Sequence, residues 1–452
     1  MKLINYIGNN YSNYKISKSK IFYPKNKEEI LALIKYSNLN NLKILTIGSS
    51  VSWYDTVFNT KNIIINLKDY KKIFVLDKKR GVLTISASYK ILEVIEKINK
   101  SGWTIYSVPG YPHATLGGCV SNDVHGKDSF LYGNFGDSII EIEIILSNNR
   151  LVKCSKTKNQ NIFKSAIGGL GLIGIITKIK LKLKKINKSY TTNIYICKNY
   201  KELVKEIYYK KQKYNYLYGW IDFYSKKNQL GRGIIFKTKA NDSSNSGNLN
   251  QKSFITRFKS FLKNIIFNFF TRYNLNKYLN ILFFNSFKLQ KNEFFSSYRE
   301  VAWPLDDIDV KKAIYPNSFY EIQFIIKKEN LPNALKEFIE KCQSLKINTF
   351  ITGIKIHKKS KNYLSFAEDG VSINANQIFN KKNEKYETKK FLSLYNYVLK
   401  KNYKMYICKD FFFRRKSFNK NYILYKNFIK IKKRFDKKNL FHSDFFKRIN
   451  QK

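Results

Sequence analysis

Apolar and polar positions alternate in short runs through the first 185 residues, and helically spaced stretches separate the runs. Lys43–Ile47, Asn62–Leu67, Val82–Ser88 and Ser138–Leu146 read as strands. Gly174–Leu183 (GIITKIKLKL) alternates with period two, which sends every second side chain to one face. Ile91–Lys100 carries apolar residues at helical spacing and is followed by Gly102 as a stop signal; Asn159–Ala166 reads as a further helix. This order predicts an α+β domain with a glycine-rich centre.

Past residue 190 the texture changes. Tyr216–Phe223 and Gly233–Lys239 are predicted strands, and Asn241–Gln251 is a predicted surface loop. Phe254–Leu289 interleaves Phe, Leu and Ile with Lys, a pattern expected of an interfacial amphipathic helix or of helices capping a second domain. Tyr320–Ile326 reads as a strand, Leu331–Leu345 as a helix and Thr349–Ile356 as a strand.

A chain of 452 residues exceeds one ordinary core, so two domains are expected, and 43% hydrophobic content argues against disorder. The formal net charge of +52 taken alone suggests a nucleic-acid or anionic-membrane partner. Only 10 of the 84 cationic side chains are Arg, the residue favoured for bidentate phosphate contacts, which weighs against a nucleic-acid binder. A basic surface that attracts anionic substrates or lipid head groups fits better. The five cysteines are scattered and have no CxxC spacing, so no disulfide framework is expected and a reducing compartment is. With no apolar leader and no long apolar run, the expectation is a cytoplasmic protein with, at most, peripheral membrane contact.

Three glycine-containing segments carry the chemistry. TIGSSVSWYD (Thr46–Asp55) follows a predicted strand with small residues whose backbone N–H groups can approach a phosphate. PGYPHATLGGCVSNDVHGK (Pro109–Lys127) has two adjacent glycines, Gly117 and Gly118, that leave room for a flat or charged ligand. AIGGLGLIGIITKI (Ala166–Ile179) packs a tight loop against a strand.

Together these segments resemble the FAD-binding domain of the vanillyl-alcohol oxidase superfamily, and within it the oxidase of the decaprenylphosphoryl-ribose 2-epimerase group. DVHGKDSFLYGNFGDSI (Asp123–Ile139), Trp303–Phe324, YICKD (Tyr406–Asp410) and LFHSDFFKRI (Leu440–Ile449) extend the likeness over most of the chain. The resemblance implies a two-lobed α+β fold. A PCMH-type FAD-binding domain would span 1–188, and a substrate domain with an antiparallel sheet flanked by helices would span 189–400, with a basic-aromatic insert at 240–290. A segment over 401–452 would return to the first domain.

It implies non-covalent FAD, because Ser49–Tyr54 contains neither His nor Cys and His125 does not carry the flavin covalently in that group. Cofactor contacts would come from Thr46, Ile47, Gly48, Ser49, Ser50, Val51, Ser52, Trp53, Tyr54, Asp55 and Thr56. Gly110, Thr115, Leu116, Gly117, Gly118, Asn122, Asp123, Val124, His125, Ile176 and Tyr406 would complete the set. Val51 replaces the arginine of the usual Arg–Ser pair, so one charged phosphate contact is missing there.

Lys409, His125 and Lys127 are the implied catalytic residues, Lys409 as a cation near the developing flavin charge. Trp220, Tyr315, Gln323, Asn374 and Lys409 are the implied substrate contacts, with Asn374 where one subgroup has a cysteine. The implied reaction is oxidation of a secondary hydroxyl of a sugar, at C2 of a polyprenylphosphoryl pentose, followed by a nicotinamide-dependent short-chain reductase that returns the ketone inverted. The alternative is an aldonolactone or sugar-alcohol oxidase acting on a free sugar. Those enzymes carry His-Trp-x-Lys where this chain has Tyr406–Ile407–Cys408–Lys409, which keeps only the lysine. A non-enzymatic basic nucleic-acid-binding protein is the alternative of another class.

Overall fold

Strand Ile16–Phe22 leads into helix Lys27–Leu39, whose start is fixed by Asn26 accepting from the Glu29 N–H, and the chain returns as strand Ile44–Ile47. Both strands lie parallel to Ile63–Asn66, a crossover that buries Ile30, Leu33 and Ile34 of the helix against Ile44, Ile63 and Ile65. The computed structural model describes residues 2–187, 189–241, 265–289, 292–304, 314 and 316–451.

A second sheet follows, with strands ordered Phe74–Asp77, Val82–Ser86, Ile175–Lys182, Ile139–Ile145 and Leu151–Ser155, all antiparallel. Helix Ile91–Asn99 covers it through Ile91, Val94, Ile95 and Ile98. Of the glycine-rich segments, the first continues edge strand Ile44–Ile47 into the Gly48 turn, the second opens helix Leu116–Ser121, and the third runs into Ile175–Lys182, the central strand of the second sheet.

The other lobe is one antiparallel sheet of eight strands among the described residues. Their order is Glu293–Ser296, Ser189–Cys197, Gly233–Asn241, Tyr216–Ile221, Gly353–His357, Gly370–Phe379, Ser318–Ile326 and Lys404–Met405. Period-two alternation gives this sheet two unlike faces. Ile322, Phe324, Ile354, Ile356, Val371, Ile373 and Ala375 face a core closed by helices Tyr200–Tyr208, Leu331–Ser344 and Glu384–Lys400. Register places Glu321 opposite Asn376, Gln323 opposite Asn374 and Lys355 opposite Ser372, so these polar residues share the reverse face. That face is turned toward the first lobe.

The predicted strand Thr349–Ile356 is shorter than expected. Residues 349–352 leave the ladder because side-chain amides replace it: Asn376 Oδ1 accepts from the Phe350 N–H at 2.8 Å, and Gln377 Oε1 accepts from the Asn348 N–H at 2.8 Å. Of the predicted loop Asn241–Gln251, Asn241 closes a strand, and the rest lies outside the described residues. Of Phe254–Leu289, residues 254–264 also lie outside them; 265–272 and Asn276–Lys288 are helical. Phe283, Phe284 and Phe287 of the latter helix pack on Trp220, Ile234 and Phe236 of the sheet, so it caps the second lobe.

The end of the chain is tied into the first lobe. Leu440 and Phe441 join the core of Ile44, and Lys432 Nζ donates to the Leu172 carbonyl at 2.9 Å. Arg448 forms a buried pair with Asp55, with its Nε 2.7 Å from Oδ2, and also meets Asp410 at 2.9 Å. No helix among the described residues is long and apolar enough to cross a membrane.

Candidate active site

Between the lobes lies one cavity of about 3220 Å³. Its first wall is the turn Thr46–Trp53 with Thr56, then Gly110, Thr115, Gly117, Gly118, Asn122, Val124, His125 and Ile176. The turn is held by tertiary bonds: Asn66 Nδ2 donates to the Gly48 carbonyl at 3.1 Å, Ser49 Oγ to the His113 carbonyl at 2.5 Å, and the Trp53 N–H to the Cys408 carbonyl at 3.0 Å. Gly48 is forced, since a Cβ there would fall 1.9 Å from Thr115 Oγ1. Gly110 is free of that constraint, since a Cβ there would meet no heavy atom within 4 Å and would stand in open space.

Several sequence-based placements require correction. Tyr54 turns away from the cavity and stacks on Phe411 at 5.0 Å. Asp55 spends its carboxylate on Arg448. Leu116 is fully buried in the core of the first lobe. Asp123 accepts from Ser365 Oγ at 2.5 Å and from the Gly136 N–H at 3.0 Å, so it braces the loop, and burial pushes its carboxyl up to about 6. Gln323 lies beneath His125 and does not line the cavity. Tyr315 lies outside the described residues.

The cavity floor is the polar face of the large sheet: Glu321, Lys355, Asn374 and Asn376, with Tyr218 and Trp220 alongside and Tyr406, Cys408 and Lys409 at one end. Lys409 Nζ pairs with Glu321 Oε1 at 2.7 Å and lies 5.2 Å from the centroid of the Trp53 ring. Burial raises the Glu321 carboxyl, and Lys409 opposes that rise. Lys127 Nζ donates to the Ala302 carbonyl and lies 5.1 Å over the Tyr218 ring; burial, then Lys355, lowers its amine well below the usual range. Tyr406 donates to the Asn122 carbonyl at 3.3 Å, which joins the two walls. Trp220 reaches the cavity while its ring also packs 4.9 Å from Phe283.

Sequence reasoning missed Lys355 and His357. Burial, with Lys409 nearby, lowers the half-buried Lys355 amine to about 8. The alternating run Gly353–His357 was a signal for it, because it sets Lys355 and His357 on the face opposite Ile354 and Ile356.

The first wall suits a dinucleotide. Thr46 Oγ1, Thr56 Oγ1, Ser88 Oγ and His125 Nδ1 are buried polar atoms with no partner, all on residues that line the cavity. Buried polar groups are normally satisfied, so these fit a ligand rich in phosphate and hydroxyl oxygens. Charge that Val51 lacks is present at Lys68 and Lys90, which also line the cavity. Lys68 follows two residues after Asn66, and Lys90 bridges to Thr115.

This α+β architecture sets a glycine-lined cradle against the polar face of a large sheet. Residues 19–155 match the family model described as FAD binding domain. The chain is 27% identical over 198 residues to D-arabinono-1,4-lactone oxidase of Debaryomyces hansenii, which covers 41% of this chain and 34% of that protein. It is 27% identical over 180 residues to cytokinin dehydrogenase 3 of Arabidopsis thaliana, covering 38% and 34%. It is 23% identical over 186 residues to the mitochondrial L-galactono-1,4-lactone dehydrogenase of the same plant, covering 40% and 30%. The matched segment spans about a third of the length of these relatives.

Proposed function

We propose that the protein is an FAD-dependent oxidoreductase that oxidises a secondary hydroxyl of a sugar or aldonolactone. The observation that carries this reading is the meeting, in one cavity, of the cradle Thr46–Trp53 and Gly110–His125 with the floor of Lys355, Lys409, Glu321, Asn374 and Asn376. FAD, when bound, accepts a hydride from the carbon that bears the hydroxyl. Lys409 Nζ, fixed by Glu321, supplies positive charge at the floor. Asn374 orients a sugar hydroxyl through its amide, while Asn376 braces the backbone of residues 350–351 beside it. Lys355 Nζ, with an amine near pH 8, takes the hydroxyl proton, since a base works best when its pKa lies near the working pH. A lactone oxidase and a lactone dehydrogenase among the relatives support the free-sugar form of this reading.

A second reading, a polyprenylphosphoryl pentose oxidised at C2, draws support from Ile266, Phe267, Leu279, Phe283 and Phe287, which give the cavity an apolar side under the cap helices. Peripheral membrane contact and a following nicotinamide-dependent reductase belong to that reading. Liposome binding by the intact protein would accompany it.

The test is an absorption spectrum of purified protein before and after acid precipitation, then anaerobic bleaching with sugar lactones and with polyprenylphosphoryl pentoses. Flavin bands released into the supernatant and bleached by one class are the expected result. A folded protein that takes up no flavin when FAD is added back overturns the proposal.

A further inference from the structure

Four polar side chains beneath the cavity form an unbroken chain. His357 Nε2 lies 2.8 Å from Ser372 Oγ, Ser372 Oγ lies 3.1 Å from Gln323 Nε2, and Gln323 Nε2 lies 3.2 Å from His125 Nε2. All four side chains are buried. Gln323, Ser372 and His357 stand on the polar face of three adjacent strands, and His125 comes down on them from the glycine-rich loop of the other lobe. The two imidazole rings lie 4.7 Å apart between centroids.

The chain has a direction. An amide nitrogen carries two protons and accepts none, so Gln323 donates one to Ser372 Oγ and the other to His125 Nε2. Ser372 accepts from Gln323, which leaves its own proton to go to His357 Nε2, 2.8 Å away. In that arrangement each ring receives a proton at Nε2, and a neutral ring that accepts at Nε2 carries its own proton at Nδ1. Both rings are kept neutral by burial first, helped at His125 by the cations of Lys355 and Lys409 and by His357, and at His357 by Lys355. The Nδ1 atoms of His125 and His357 have no partner among the described residues, and His125 lines the cavity.

We propose that Gln323, Ser372 and His357 are positioning residues that lock His125 in the neutral Nδ1–H form, so that this wall offers a bound flavin or substrate a hydrogen-bond donor and no base. The tautomer rests on the Gln323 amide nitrogen facing both Ser372 and His125, with Gln323 Oε1 left without a partner among the described residues. The donor role rests on the oxidoreductase reading, and the two can fail separately. One consequence is that His125, whose Nε2 lone pair is taken by Gln323, leaves proton abstraction to another group, and Lys355 is the amine beside it.

The chain contains only four histidines, which makes ring-¹⁵N histidine labelling of the full-length protein decisive. The His125 signals are identified as those lost in His125→Gln. The expected pattern is a protonated Nδ1 and a bare Nε2 that persists as the pH falls through about 6.5, where an unperturbed ring titrates, because burial moves this ring down. A protonated Nε2, or an imidazolium forming near that pH, overturns the lock. In Ser372→Ala, His357 loses its donor and its tautomer preference, and Ser372→Thr restores it; an unchanged His357 in the alanine variant overturns the relay. A shift of the His125 Nδ1 proton on adding FAD alone assigns the acceptor to the flavin. A shift that waits for a sugar lactone assigns it to the substrate. No shift with either overturns the donor role.

Discussion

Lys409 Nζ and Glu321 Oε1 stand 2.7 Å apart on the cavity floor, with the carboxylate side chain 5% exposed and the lysine 18%. The pair joins the turn after the edge strand Lys404–Met405 to the neighbouring strand Ser318–Ile326 of the large sheet. A buried carboxylate is tolerated here because a cation meets it, and removing only one partner leaves the other desolvated and unpaired. Lys409→Met is therefore expected to lower stability by about 3–5 kcal/mol, as is usual for breaking one side of a buried pair. Adding Glu321→Gln to Lys409→Met should recover most of that loss in urea unfolding while activity stays lost. A double variant as unstable as the single one would show that the pair is not what the lysine stabilises.

Lys355 gives the opposite sign. Its folded pKa of about 8 lies below the unfolded value near 10.4, so between these pH values the unfolded chain binds more protons. The cost of the buried charge is fully present below about pH 8 and fades as pH rises toward about 10.4. Lys355→Met should raise Tm at pH 7, and the difference from the natural chain should close by about pH 10 while turnover falls. Turnover of the natural protein should rise with pH through about 8 as the amine loses its proton. A thermal melt series with and without the substitution, paired with a pH–rate profile, checks both.

Gly48 and Gly110 separate the turn's shape from the room it leaves. Gly48→Ala drives a methyl into Thr115 and should give protein with little flavin and a lowered Tm. Gly110→Ala meets nothing in the fold, so it should melt normally yet retain less FAD, because its methyl occupies cavity space. The ratio of flavin to protein absorbance, read beside the melting curve, distinguishes the two.

Arg448 binds Asp55 of the first lobe and Asp410 just past the Lys409 turn, and its Nη1 donates to the Phe413 carbonyl at 2.8 Å. Arg448→Met strands two buried carboxylates and should cost about 3–5 kcal/mol. Arg448→Lys should recover only part of this, because one ammonium cannot reproduce the planar fork. Denaturation midpoints of the two variants, compared with the natural chain, decide it.

Much of this was legible in the residues. Period-two runs such as Gly174–Leu183 and Tyr320–Ile326 became strands within a residue or two, because alternation alone decides which face is buried. The three glycine segments carry the likeness to FAD-binding domains, since a close backbone approach to a ligand needs small residues in sequence order. The run SINAN alternates just as clearly and forms the centre of strand Gly370–Phe379, which supplies Ser372, Asn374 and Asn376, of which the sequence reading picks out only Asn374.

What the sequence determined by itself is therefore local: the strand faces, the turns and the ligand cradle, each set by spacing within about ten residues. Tertiary structure alone decided which side chains meet. Asp123 and Asp55 looked like cofactor contacts because they sit in the right loops, but Ser365 and Arg448, 242 and 393 residues away, claim their carboxylates. Lys355 was one lysine among many until the sheet placed it, half-buried, beside Lys409 and Glu321. Burial and charge pairing are properties of the assembled fold, so the pKa of a side chain and its chemistry are fixed only when distant strands come into register.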